Sequence, residues 1–135
     1  MSKLLQRLAD PARSGVYRVS GADAIEQATR ASGLDVVSID AGADLFGAMA
    51  RALAFPDWFG ANWDALEDCL SDLSWRTGAG HVLLLRAYPH GDALGVLIDV
   101  LRATAEYWAG RKRPFFAVFV DPQKALPLPE LYRDA

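Results

Sequence analysis

The fold is decided by two stretches, VLLL at residues 82–85 and FFAVFV at residues 115–120. Both are apolar at consecutive positions, which is typical of strands covered on both faces of a sheet. Strand-like and helix-like segments alternate along the chain, and this order favours parallel pairing through helical crossovers. We therefore predict an α/β fold with a single layer of three to four mostly parallel strands packed with helices.

Shorter segments on either side complete this pattern. Strands are predicted at 15–19, 36–39, 81–85 and 115–120. Helices are predicted at 1–10, 23–32 and 92–109, with two more between them. Asp44 and Asn62 are good N-caps for these two, the first ending before Pro56 and the second near Leu73. The Pro-rich tail at 122–135 is expected to be irregular.

The length and composition predict one globular domain. Of the 135 residues, 52% are hydrophobic and 23% are charged, and a chain of this size buries roughly two thirds of its unfolded surface. No apolar run approaches the roughly 18 residues that a membrane helix needs, and the N-terminus has no signal-peptide core. With Cys69 as its single cysteine, the chain forms no internal disulfide, so we expect a cytoplasmic protein.

Negative charge and tryptophan are concentrated in one window, residues 52–75. The window contains no Lys or Arg and carries a charge of −5, whereas the whole chain carries −3 and the rest therefore +2. Its acids are Asp57, Asp64, Glu67, Asp68 and Asp72. Three of the four tryptophans, Trp58, Trp63 and Trp75, lie in the same window. Because an exposed indole leaves a large apolar area in water, this combination indicates a functional surface.

The helix that begins at Asn62 divides into two faces. Helical spacing places one apolar stripe on the core side: Leu66, Cys69, Leu70 and Leu73. The opposite face is polar: Asp64, Glu67, Asp68, Ser71 and Asp72. Like charges one turn apart destabilise a helix by a few tenths of a kcal/mol each. A solvated helix face remains one interpretation, but the absence of interleaved Lys or Arg favours a functional one.

Three other chemistries fit these acids less well than protein binding. A small hydrolase using Asp64 and Asp68 would need a cleft and separated pKa values. A metal site would need further ligands, but His81 and His90 lie in other segments without ligand-like spacing. A nucleic acid would be repelled by the acids, and the basic residues at 111–113 are explained as a helix-end cluster.

A protein partner fits the content of the window. Aromatic side chains at Trp58, Phe59 and Trp63 would supply contact area, and carboxylates would steer a basic partner. We therefore expect no catalytic residue, no cofactor, no metal and no small-molecule substrate. Neither a nucleic acid nor a membrane is an expected partner.

Residues 55–70, FPDWFGANWDALEDCL, resemble the barstar family of ribonuclease inhibitors. The shared pattern is Pro-x-aromatic-aromatic-Gly-x-Asn-x-Asp-Ala-Leu-x-Asp-Cys-Leu, and the order of strands and helices from 36 to 120 also fits that family. The resemblance implies a single barstar-like domain over 1–135. Its core would be 34–121, preceded by an extra strand-helix unit at 1–33 and followed by the tail at 122–135.

The resemblance implies an intracellular immunity protein that inhibits a basic, extracellular-type ribonuclease like barnase in a one-to-one complex. Its acidic helix and aromatic loop would block the enzyme's active site by mimicking RNA phosphates. The alternative is a barstar-like interaction module that regulates another basic protein.

Position by position, the resemblance assigns partner binding to Trp58, Phe59, Gly60, Asn62, Trp63, Asp64, Ala65, Glu67 and Asp68. Within this set, Asp64 and Asp68 match the central acids and Phe59 matches an aromatic that supports the loop. Glu67 stands where the family can have an aromatic residue. A further acid of the family, on the last helix, aligns with Ala103, with Asp99 and Glu106 nearby.

Overall fold

The structure, a computed structural model, describes residues 2–132. Within these residues the strands are β1 (Gly15–Val19), β2 (Asp35–Asp40), β3 (His81–Ala87) and β4 (Phe115–Val120). They form one parallel sheet in the order β1-β4-β3-β2. This architecture confirms the predicted α/β fold, with four strands that are all parallel.

In the described part of the chain, five α-helices connect and cover the strands: α1 (Lys3–Leu8), α2 (Asp23–Thr29), α3 (Leu45–Leu53), α4 (Trp63–Leu70) and α5 (Asp92–Gly110), with a short 3-10 helix at Pro11–Arg13. Both predicted N-caps are confirmed, since Asp44 Oδ1 accepts from Gly47 N and Asn62 Oδ1 accepts from Ala65 N. None of the helices within 2–132 has the length and apolar content needed to cross a membrane.

Two predicted helix ends are wrong by about one turn. α2 stops at Thr29 because Arg30 leaves the helical conformation, with a ψ of 126°. α4 stops at Leu70, although its pattern predicts an end near Leu73, which instead adopts a left-handed φ of 49°. Leu70 O accepts from Trp108 Nε1, and the Ser74 amide donates to Asp72 Oδ1, so these two groups are engaged outside the helix.

The sheet separates two helical layers, which explains its continuous apolar strands. Leu83 and Leu85 of β3 face the core formed with α3, α4 and α5, and the alternate residues Val82 and Leu84 face α1 and α2. β4 divides between the two cores in the same way. The candidate site on α4 therefore lies on the three-helix side of the sheet.

The terminal segments join the same sheet edge. β1 pairs with β4, and residues 129–131 run beside β1, where Arg18 N donates to Pro129 O and Leu131 N donates to Arg18 O. The division of the chain at residues 33 and 121 stays a prediction. Residue 1 of the predicted first helix and residues 133–135 of the predicted tail lie outside the described residues.

Candidate protein-binding surface

The loop at 54–62, between α3 and α4, is shaped by its own backbone. Ala54 ends α3 with a left-handed φ of 54°, and Ala61 has a φ of 52° just before the N-cap. Between them, Phe59 N donates to Pro56 O at 3.0 Å and closes a turn. These bends return the chain to α4 and leave Trp58 at the surface.

Asn62 joins this loop to the first turn of α4. Its Oδ1 accepts from Ala65 N at 2.8 Å, while its Nδ2 donates to Gly60 O at 3.4 Å. The side chain therefore satisfies one of the amides that have no partner inside the helix. Asn62 and Gly60 are exposed and Ala65 is half-buried.

The three aromatic residues of the predicted site differ in exposure. Trp58 is 59% exposed, whereas Phe59 and Trp63 are half-buried. The Trp63 ring is edge-on to Phe46 of α3 at 5.1 Å, and the Phe59 ring is edge-on to Phe55 at 4.8 Å. Phe59 and Trp63 thus fasten the loop and α4 to the core, and their contact with a partner stays a prediction.

Five exposed carboxylates, which we name the acidic surface, lie on this loop and on α4 or just after it: Asp57, Asp64, Glu67, Asp68 and Asp72. Among residues 2–132, none of the five forms an ion pair. Asp64 lies in the first turn of α4, where the helix dipole favours an anion. The surface therefore carries negative charge that the described part of the chain does not neutralise.

The opposite face of α4 is buried, as its pattern predicts. Leu66, Cys69, Leu70 and Leu73 are at most 2% exposed. Burial raises the pKa of the Cys69 thiol, and the nearby carboxylates of Asp72 and Asp68 raise it further. The thiol is therefore protonated at neutral pH and serves as an apolar core group.

The segment after α4 is held by a partly buried ionic cluster. Arg76 makes two hydrogen bonds, of 2.7 and 2.9 Å, to the Asp35 carboxylate, and His81 Nδ1 lies 2.9 Å from Asp35 Oδ2. Burial alone would raise the pKa of Asp35, but the hydrogen bonds from Arg76 and His81 hold it below its ordinary value. Burial lowers the pKa of His81 despite the neighbouring carboxylate. The cluster therefore joins the segment after α4 to the first residues of β2 and β3.

Trp75 packs beside the predicted site, although it was not among the predicted partner-binding residues. Its Nε1 donates to Leu53 O at 2.9 Å, and its ring is edge-on to Trp58 at 6.4 Å and to Phe55 at 6.1 Å. The signal that could have found it is its place in the window that lacks Lys and Arg. Nothing local to residue 75 predicts these contacts.

Side chains that could bind a metal ion lie apart from one another. Within residues 2–132, no three His, Cys, Asp or Glu side chains are arranged to hold a metal ion. On α5, Ala103, Asp99 and Glu106 are exposed, and Glu106 borders a cleft beside Tyr17 of β1. A contribution of Asp99 or Glu106 to partner binding stays a prediction.

Comparison with known proteins agrees with the motif at 55–70. Residues 29–120 match the family model described as Barstar (barnase inhibitor). The matched segment is more than half of the chain, and it contains the loop, α4 and strands β2 to β4. No curated protein and no solved structure matches the chain.

Proposed function

Since the chain belongs to the barstar family, we propose that it is a protein inhibitor of a barnase-like ribonuclease. In this proposal it acts in the cytoplasm as an immunity protein and forms a one-to-one complex with the enzyme. The acidic surface occupies the basic active site, where its carboxylates take the places of RNA phosphates. No catalytic residue, metal or cofactor takes part.

The observation that carries this proposal is the acidic surface beside Trp58. Its carboxylates are exposed and form no ion pair within residues 2–132. Carboxylates of this kind accelerate encounter with a basic partner and can pair with its Lys, Arg and His groups. The 59% exposed Trp58 adds the aromatic contact area that is enriched at the centres of protein interfaces.

The attachment of α4 to the rest of the fold also supports an inhibitory role. The helix begins at the Asn62 cap and ends where Leu70 O accepts from Trp108 Nε1, while Leu66 and Leu70 are fully buried. Asp64 and Asp68 are one helical turn apart on this element, so their separation is fixed before binding. Preorganised charges lose less conformational entropy when a complex forms.

The acids are also placed unfavourably for catalysis. Asp64, Glu67 and Asp68 are exposed on one helix face, whereas paired catalytic carboxylates need a cleft that separates their pKa values. The same charge opposes binding of RNA itself, because phosphates would meet carboxylates. A basic protein surface needs no catalytic cleft and is attracted by carboxylates, so it is the partner that fits these acids best.

The test is titration of the chain into a purified barnase-type ribonuclease while RNA cleavage is measured. Cleavage should stop at one equivalent of inhibitor. Asp68→Ala should raise the dissociation constant by about 100-fold or more, because it leaves a partner cation buried without its counterion. Asp23→Ala is the matched control, since Asp23 is an exposed acid on α2, across the sheet from α4, and it should leave inhibition unchanged.

The titration should be repeated at several ionic strengths, because the proposed binding is electrostatic. Association should slow as salt rises, since exposed charges are screened beyond about 10 Å at 0.1 M salt. Absence of inhibition and of binding at low salt would contradict the proposal. Capture of a basic protein that is not a nuclease, lost in an Asp64→Ala, Asp68→Ala double variant, would instead support the interaction-module alternative.

A further inference from the structure

The exposed indole of Trp58 packs against a second indole, that of Trp75. The Trp75 ring is edge-on to it, with 6.4 Å between ring centroids and an angle of 86° between planes. Edge-to-face pairs at this separation are a favoured aromatic geometry. Trp58 is 59% exposed, whereas Trp75 is half-buried, so Trp75 contacts the inner side of a side chain whose other side faces water.

Trp75 is itself held by groups outside the acidic surface. Its Nε1 donates to Leu53 O at 2.9 Å, at the last residue of α3, where helix carbonyls lack partners within the helix. The next residue, Arg76, is fixed by its paired hydrogen bonds to Asp35 at the start of β2. The position of Trp75 is therefore set by α3 and the sheet.

We propose that Trp75 is a positioning residue for partner binding, which holds Trp58 in the orientation that meets the partner. This inference rests on the proposed function for the importance of Trp58. An exposed side chain that is ordered before binding loses less entropy in the complex. Trp75 supplies this order from a loop that follows α4, whereas Trp58 belongs to the loop that precedes it.

The first experiment examines the free protein, with all tryptophans labelled as 5-fluorotryptophan and their ¹⁹F resonances assigned by Trp→Phe variants. The Trp58 resonance should move toward that of free 5-fluorotryptophan in Trp75→Leu, because the neighbouring ring current is lost. Trp63→Phe is the control, since the Trp63 ring packs against Phe46 instead. A Trp58 resonance that Trp75→Leu leaves in place overturns the inference, whatever the partner is.

The second experiment is a double-mutant cycle with a barnase-type ribonuclease as the probe. Trp58→Ala and Trp75→Leu should each weaken binding by about tenfold, and the double variant should be little weaker than either single variant. Trp75→Phe keeps a ring against Trp58 and should recover most of the affinity. Multiplicative losses in the double variant would contradict the inference.

Stability measurements separate positioning from a general structural effect. Trp75→Leu should lower the free energy of unfolding in both the wild-type and the Trp58→Ala chains, by less in the second because the contact between the two rings is already lost there. Its effect on binding, in contrast, should disappear in the Trp58→Ala chain. If the wild-type chain does not bind the ribonuclease, the proposed function fails, and the ¹⁹F result still decides whether Trp75 orders Trp58.

Discussion

The substitution Trp108→Phe should destabilise the protein by releasing the C-terminal end of α4. Trp108 of α5 is 8% exposed, and its Nε1 donates to Leu70 O at 2.8 Å. The amide four residues after Leu70, that of Ser74, donates to Asp72 Oδ1 at 3.3 Å. Phenylalanine would therefore leave the Leu70 carbonyl in a buried site without its donor.

Two effects of Trp108→Phe together should lower the free energy of unfolding. A buried carbonyl that loses its partner costs about 1–3 kcal/mol. The smaller ring leaves part of the indole volume unfilled, which adds about 1 kcal/mol. We expect the free energy of unfolding to fall by about 2–4 kcal/mol, which most domains of this size survive because their total is about 5–15 kcal/mol.

Urea unfolding at neutral pH measures this loss, with Trp58→Phe as the matched control. Because Trp58 is 59% exposed, its replacement should change the free energy of unfolding by less than about 0.5 kcal/mol. An equally small change for Trp108→Phe would refute the view that this hydrogen bond ends α4. An unchanged urea dependence of the free energy would show that the variant unfolds from the same compact state.

Two further predictions concern pH and backbone conformation. Because burial lowers the pKa of His81, the unfolded chain binds more protons below about pH 6.5, so the free energy of unfolding should fall as urea titrations move from pH 8 to pH 5. The lowered pKa of Asp35 adds a further fall below about pH 4. His81→Gln should flatten the first fall, and a wild-type profile that stays flat between pH 8 and pH 5 would contradict the assignment to His81. Ala54→Gly should raise the free energy of unfolding by about 0.5–1 kcal/mol, since alanine is strained at a φ of 54°. Ala50→Gly inside α3 should lower it by about 1 kcal/mol in the same urea unfolding experiment, and a loss in both variants would exclude strain at Ala54.

The elements that could be predicted are those set by local sequence. Strands at 15–19 and 115–120 have the predicted bounds, since each is flanked by residues that favour turns, Ser14 and Ser20 for the first and Pro114 and Asp121 for the second. The caps at Asp44 and Asn62 were predictable because capping joins atoms three residues apart. The end of α4 was not predictable, because it depends on Trp108, which is 38 residues away in the chain.

In the candidate site, too, some features follow from local sequence and others depend on distant residues. Charge counting and helical spacing were enough to place Asp64, Glu67 and Asp68 together on one exposed face. They could not separate the exposed Trp58 from the half-buried Trp63, because that difference depends on Phe46 of another helix. Membership of the family adds the class of partner, and the individual contact residues remain predictions.

The energetics of α4 indicate why its two faces differ. Burial of Leu66 and Leu70, both fully buried, stabilises the fold by about 1.5–3 kcal/mol each. Repulsion between Asp64 and Asp68, one turn apart in α4, costs only about 0.2–0.5 kcal/mol. The buried face can therefore maintain the helix while the outer face carries charges that oppose it. A face selected for stability would place Lys or Arg one turn from these acids, and residues 52–75 contain neither. In the proposed complex, the cations of a basic partner would supply the opposite charges that this face lacks.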